Sequence, residues 1–344
     1  KTLIFLAIEI FSIKNEIIKF FEIRLIMLRT FFYFSSIIIF FLFGVCVVKY
    51  EIPPYHLLSF FKQTIFPSEY TKNRIYVKEI DHWFNPDNSR TRYVNTKNLL
   101  QTNIIKVPTT KVFIVYGQSN TANSGQIGYQ NTEKVHMFLN GKSYKYLEPT
   151  LGATSRDGNV WGRVGEKLIK RNSKIENVYF ALAGWGGKSI QELNSSPYID
   201  LYISHIINVK KSFGKVDGIL FQQGEANNPA DKRWRNATFS GEEKYDYFLN
   251  LLFEKTKKLT DAPIWIAKTS FCGPKKPIND KLINQQNKFI NINKKIFHEP
   301  NTDEISNEKY RLPLNDRCHF SYLGLDVYSE MWVDSIMNPK ETNY

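Results

Sequence analysis

The chain has 344 residues, 42% of them hydrophobic, which is enough for one large packed domain with an extension, or for two domains. Its formal net charge of +13 suits an anionic neighbour, but the basic residues are scattered and no nucleic-acid motif occurs, so nucleic acid is excluded as a partner. Three cysteines (Cys46, Cys272, Cys318) are too few for a disulfide framework, and six histidines without an HExxH or i,i+4 pair give no zinc site; no metal and no cofactor are expected.

The first element in chain order is the run Thr30 to Val48, which carries no charge and is flanked by Arg29 and Lys49. Nineteen helical residues at about 1.5 Å each reach roughly 28 Å, close to the hydrocarbon thickness of a bilayer, so a transmembrane signal-anchor helix is expected over 30–48. Lys14, Lys19, Arg24 and Arg29 precede it. They assign residues 1–29 to the cytoplasm and the bulk of the chain to the outer, extracytoplasmic side of a single-pass membrane protein. Met27, just ahead of the run, is a candidate start, with residues 1–26 then upstream of it. A cleaved signal is the alternative, but no A-x-A site follows.

Pro53-Pro54 stops that helix, and residues 49–104, mixed and rich in Asn, Tyr and Lys, read as a stalk. From residue 105 to 344 short β runs alternate with helical stretches. The runs are 112–116 (VFIVY), 178–182 (VYFAL), 217–222 (DGILFQ) and 263–268 (PIWIAK). A helix over 240–259 has a capping box, Ser240 with Glu243, and an apolar stripe of Tyr245, Phe248, Leu252 and Leu259. This rhythm predicts an α/β domain of three layers, α/β/α, around a central parallel sheet.

In such sheets ligands gather at the carboxyl ends of the strands. The first strand ends in GQSN, with Gln118, Ser119 and Asn120. The second ends in AGWGGKSI, with Gly187, and the third in FQQGEAN, with Gln223 and Glu225. Near the C-terminus NDRCHF places Asp316 three residues before His319. Each has a plain structural reading: Ser119 as a helix N-cap, the glycines as turn formers, the glutamines as loop residues, and Asp316 with His319 as a surface pair ahead of a helix capped by Ser321. Together they supply a hydroxyl, an imidazole, a carboxylate and N–H donors, the parts serine acyl transfer needs. The order Ser, Asp, His matches α/β-hydrolases, but Thr121 stands where their G-x-S-x-G elbow has its second glycine, which disfavours that family.

From about residue 110 to 335, GQSN, GG-x-S-I, QGE and D-x-x-H resemble, in order, the blocks of the SGNH (GDSL-like) hydrolase superfamily, in its sialate O-acetylesterase-like branch near carbohydrate esterase family 6. The resemblance implies Ser119 as nucleophile, His319 as base and Asp316 as its orienting carboxylate. It also implies an oxyanion hole of the Ser119 and Gly187 N–H groups and the Gln223 amide. Gln118, Asn120 and Glu225 are the substrate-binding candidates. Gln223 stands in for the asparagine of the wider superfamily, and Cys318 inside D-x-x-H has no catalytic role. The function implied is removal of acetyl groups from a glycan through an acetyl-serine intermediate. A polysaccharide O-acetyltransferase with the same triad and a silent glycan-binding domain are the alternatives. Cys272 and Cys318 both fall near the sheet's carboxyl edge, where a disulfide and two free thiols are both open readings.

Overall fold

The computed structural model describes residues 24–25, 27–37, 39–40, 75–77, 82–84, 96, 99–126, 129, 134–228, 244–290, 294–312 and 317–339. The chain divides into two compact units, residues 1–72 and 73–344. In the first, all the described residues between 24 and 40 are helical, with Phe31, Phe32, Tyr33, Phe34, Ile39 and Phe40 exposed. No helix among the described residues is long and apolar enough to cross a membrane. The expected span 30–48 is therefore not found as such, and its residues 38 and 41–48 lie outside the described set.

The second unit holds a small antiparallel pair, β1 (Ile75–Val77) with β2 (His82–Phe84), and one large sheet. The large sheet comprises β3 (Gln101–Thr102), β4 (Thr110–Gly117), β5 (Val135–Leu139), β6 (Lys142–Lys145), β7 (Asn177–Gly184), β8 (Gly218–Gln222), β9 (Ile264–Lys268) and β10 (Ile296–Asn301). Their order is β10-β9-β8-β4-β7-β5-β6-β3. The helices are α1 (Trp161–Arg171), α2 (Ile190–Leu193), α3 (Tyr198–Phe213), α4 (Tyr245–Leu259), α5 (Asp280–Asn287) and α6 (Tyr322–Met337).

From β10 to β5 the strands are parallel, as expected, but β6 is reversed, pairing antiparallel with β5 on one side and with β3 on the other, so the sheet is mixed rather than parallel. The cause is local. Asn140 and Gly141, at φ 50° and 77°, fill a two-residue turn between β5 and β6, the geometry that returns a strand beside itself. β3 then pairs with β6, so the segment expected to be a stalk already contributes an edge strand at 101–102.

Both faces of the sheet are covered, which is why β4, β7 and β8 read as unbroken apolar runs. Tyr116 of β4 stacks on Tyr202 of α3 with ring centroids 4.3 Å apart, and Phe221 of β8 packs edge-on against Phe253 of α4. On the other face Phe180 meets Trp161 of α1, which in turn meets Trp332 of α6. Ion pairs from Lys167 and Arg171 to Asp326, Glu330 and Asp334 bind α1 to α6. The expected three layers are present. In α4 the stripe residues Tyr245 and Leu252 are fully buried, but the helix starts at Tyr245, and the proposed cap Ser240 with Glu243 lies outside the described residues.

Candidate active site

The parallel register sets three of the four segments level. Gly117 pairs with Gly184 of β7 on one side and with Gln222 of β8 on the other. β7 and β8 leave β4 in opposite directions, which opens a crevice at the carboxyl edge. The ladder runs one step further through Trp185 N–H to Gly117 O (2.9 Å) and Gln118 N–H to Gln222 O (3.1 Å). Only glycine fits at 117: φ is +151°, and a Cβ would stand 1.9 Å from Gln222 O.

Just past Gly117 the backbone makes the short 3-10 turn Ser119–Thr121. Two groups pin that turn: Thr121 O accepts from Trp161 Nε1–H (2.9 Å), and Asn123 bonds through both ends of its amide to Thr150 and Ala153. Ser119 itself is 7% exposed. Its N–H has no acceptor among the described residues, and neither has that of Gly187, which is exposed. In the GGKSI segment Ser189 caps α2, in a reciprocal box with Glu192.

The fourth segment lies alongside the Ser119 turn. Asn120 Nδ2 donates to Cys318 O (3.3 Å), Gln126 N–H to Phe320 O (3.0 Å) and Tyr322 N–H to Gln126 Oε1 (2.7 Å). His319 is half-buried within this stretch, and Ser321 caps α6 by accepting from Gly324 N–H. Asp316 lies outside the described residues. A disulfide joins Cys318 to Cys272, resolving the two open readings of these cysteines.

Gln118, Asn120, Gln223 and Glu225 are all buried, with their polar groups turned on one another. Gln118 Oε1 accepts from the N–H of Gly224 and Ala226 and from Gln223 Nε2. Gln223 Nε2 also lies 3.2 Å from Lys188 O and 2.7 Å from Asn227 Oδ1, so its two N–H groups face three protein acceptors. Glu225 Oε1 accepts from Asn120 Nδ2 (2.7 Å) and Gln222 Nε2 (3.3 Å). Burial pushes the Glu225 carboxyl above its ordinary range, against the opposing pull of the Asn120 hydrogen bond and the Arg311 charge. Sequence reasoning missed Asn123, whose GQSNTAN context was visible, and Arg311, which carries no local motif.

A profile described as carbohydrate esterase, sialic acid-specific acetylesterase, matches residues 109–335, more than half of the chain. Among solved structures, a protein from Arabidopsis thaliana superposes with TM-score 0.52 at 14% identity, over 67% of this chain and 99% of that one. NanS gives 0.48 at 12%, over 68% and 98%. Axe2, an acetylxylan esterase of Geobacillus stearothermophilus, gives 0.43 at 14%, over 67% and 96%. No curated protein sequence matches the chain at a significant level. At such identities the Arabidopsis superposition speaks for the fold alone. The family match takes in the strand-end segments that the sheet sets side by side, and by that match the chain belongs to the sialic acid-specific acetylesterase family of carbohydrate esterases.

Proposed function

We propose that the chain is a serine-dependent O-acetylesterase acting on an acetylated glycan. The observation that carries this reading is the meeting at one edge of the Ser119 turn, two N–H groups with no acceptor among the described residues and the His319 stretch. Ser119 Oγ attacks the acetyl carbonyl while His319 takes its proton and Asp316 orients the imidazole. The N–H groups of Ser119 and Gly187 receive the oxyanion. The freed sugar hydroxyl leaves with the proton from His319, and water then releases acetate from acetyl-Ser119. Gln118, Asn120 and Glu225 brace this geometry from beneath. Gln223 joins the oxyanion hole only by releasing one of its present acceptors.

The catalytic unit works outside the reducing cytosol, a reading supported by the Cys272–Cys318 bond. An anchor over 30–48 is supported by the exposed apolar side chains of Phe31, Phe32, Phe34, Ile37, Ile39 and Phe40.

The full-length chain is expected to release free acetate from an acetylated sugar, and Ser119→Ala to abolish that release. Mass measurement of the quenched parent should find the acetyl group on Ser119. An active Ser119→Ala ends this reading. Acetate as a slow leak, with faster acetylation of an added glycan, would replace hydrolysis by transfer.

A further inference from the structure

The His319 stretch is gripped from behind by a residue outside the triad. Arg311 follows the short turn Glu308–Tyr310 and is 2% exposed. Its guanidinium donates to three backbone carbonyls: Nε to Ile305 (2.8 Å), Nη2 to Thr302 (2.8 Å) and Nη1 to Cys318 (2.6 Å). The ring of Phe320 lies 4.1 Å from it and that of Phe271 5.3 Å. One planar group thus ties together three stretches of chain, at 271, at 302–305 and at 318–320. A planar fork can do this; an ammonium, as a point charge on a flexible stem, cannot reproduce it.

The third acceptor is the informative one. Cys318 O belongs to the peptide bond whose nitrogen is that of His319. The same oxygen accepts from Asn120 Nδ2, and Asn120 directly follows Ser119. Asn120 Nδ2 also donates to the buried Glu225. On its far side Cys318 is bonded to Cys272, the neighbour of Phe271. The peptide that launches the imidazole therefore lies between Arg311 behind it and the nucleophile turn in front.

We propose that Arg311 is a positioning residue for His319, its fork holding the Cys318–His319 peptide against the Ser119 turn and so setting the imidazole's reach to the nucleophile. The inference rests on the reading of His319 as the base. Arg311 is buried and serves backbone carbonyls, so its loss acts on proton transfer and not on sugar binding. A misplacement of about 1 Å at a reacting centre costs on the order of 10²-fold in rate.

The test uses the full-length chain, a small acetyl ester and a fluorophosphonate that labels activated serine hydroxyls. Arg311→Lys keeps the cation and loses the fork; Arg311→Met loses both. The expected result is a fall in kcat of roughly 10- to 100-fold for Arg311→Lys and a larger fall for Arg311→Met. KM should stay within about twofold, and Ser119 labelling should slow in step with kcat. Thermal melting and resistance of Cys272 and Cys318 to alkylation report that each variant is folded. Where neither folds, Phe320→Leu, which uncovers one face of the guanidinium and spares its three acceptors, must still lower kcat at constant KM. Parental kcat in the folded variants, or a loss expressed in KM, overturns the inference. Ser119→Ala separates the two failures: active, it removes the site reading and this inference together; inactive beside fully active Arg311 variants, it removes this inference alone.

Discussion

Gln223 and Glu225 sit two residues apart behind the Ser119 turn, and each makes a distinct expectation. The Gln223 amide nitrogen faces three oxygens, Gln118 Oε1, Lys188 O and Asn227 Oδ1. Gln223→Ala leaves those acceptors short of a donor at a cost of roughly 1–3 kcal/mol. Gln223→Glu sets a fourth oxygen among them and is expected to melt lower still at neutral pH. If Gln223→Ala instead melts like the parent and loses kcat by roughly 10²-fold or more, its amide serves the oxyanion and not the scaffold. Glu225 is expected to show itself through pH. Its carboxyl titrates above the ordinary range in the folded chain because burial penalises the charge. The favourable protonated form is present in both folded and unfolded chains at low pH, and its contribution to stability is lost as pH rises through the raised folded value. Glu225→Gln keeps an acceptor for Asn120 and removes the charge. It is expected to melt above the parent at pH 7 and level with it near pH 4. The same difference at both pH values would show that Glu225 carries no such penalty.

At the scale of elements, the Cys272–Cys318 bond crosses from the loop after β9 to the stretch bearing His319, over a sequence separation of 46. By chain entropy, closing a loop of that length is worth about 4 kcal/mol against the unfolded state. Cys272→Ser with Cys318→Ser is therefore expected to lower the melting temperature, and kcat with it, since His319 adjoins the cut. Melting and acetate release unaffected by reductant in the parent would refute this. The strands β4, β7, β8 and β9 were legible in the sequence to within two residues at each end, because runs such as Val112–Tyr116 lie between two helical layers and admit no polar residue. The antiparallel edge was not read, although Asn140-Gly141 announces it, because β5 and β6 are short and carry His136, Lys142 and Lys145. Strand β10 was missed for a related reason: it lies at the sheet's edge and contains Pro300, which an interior strand would not accept. The site's first three segments could be found from strand ends. Arg311 could not, since what makes it important is the distant carbonyls it meets after folding.

For the whole molecule, the expectation concerns where the catalytic unit works. The uncharged run 30–48 and the basic residues before it motivate an outward-facing unit. A reporter enzyme that is active only outside the cytoplasm, fused after Tyr344, is expected to be active. A silent reporter at normal expression would reverse the orientation.

The disulfide has a further consequence, for how the crevice can adapt. On the His319 side the backbone is stapled to Cys272 and clasped by Arg311, so that wall is a fixed jaw. Opposite it, Gly186 and Gly187 are exposed between Trp185, tied to Gly117 O, and Lys188, whose carbonyl meets Gln223. If the site takes acetylated sugars as proposed, accommodation of their different bulk falls to one side of it. On the proposed function, selectivity among acetylated positions would be retuned by side chains at 186 and 188, with the Gly187 N–H and the His319 wall left as they stand.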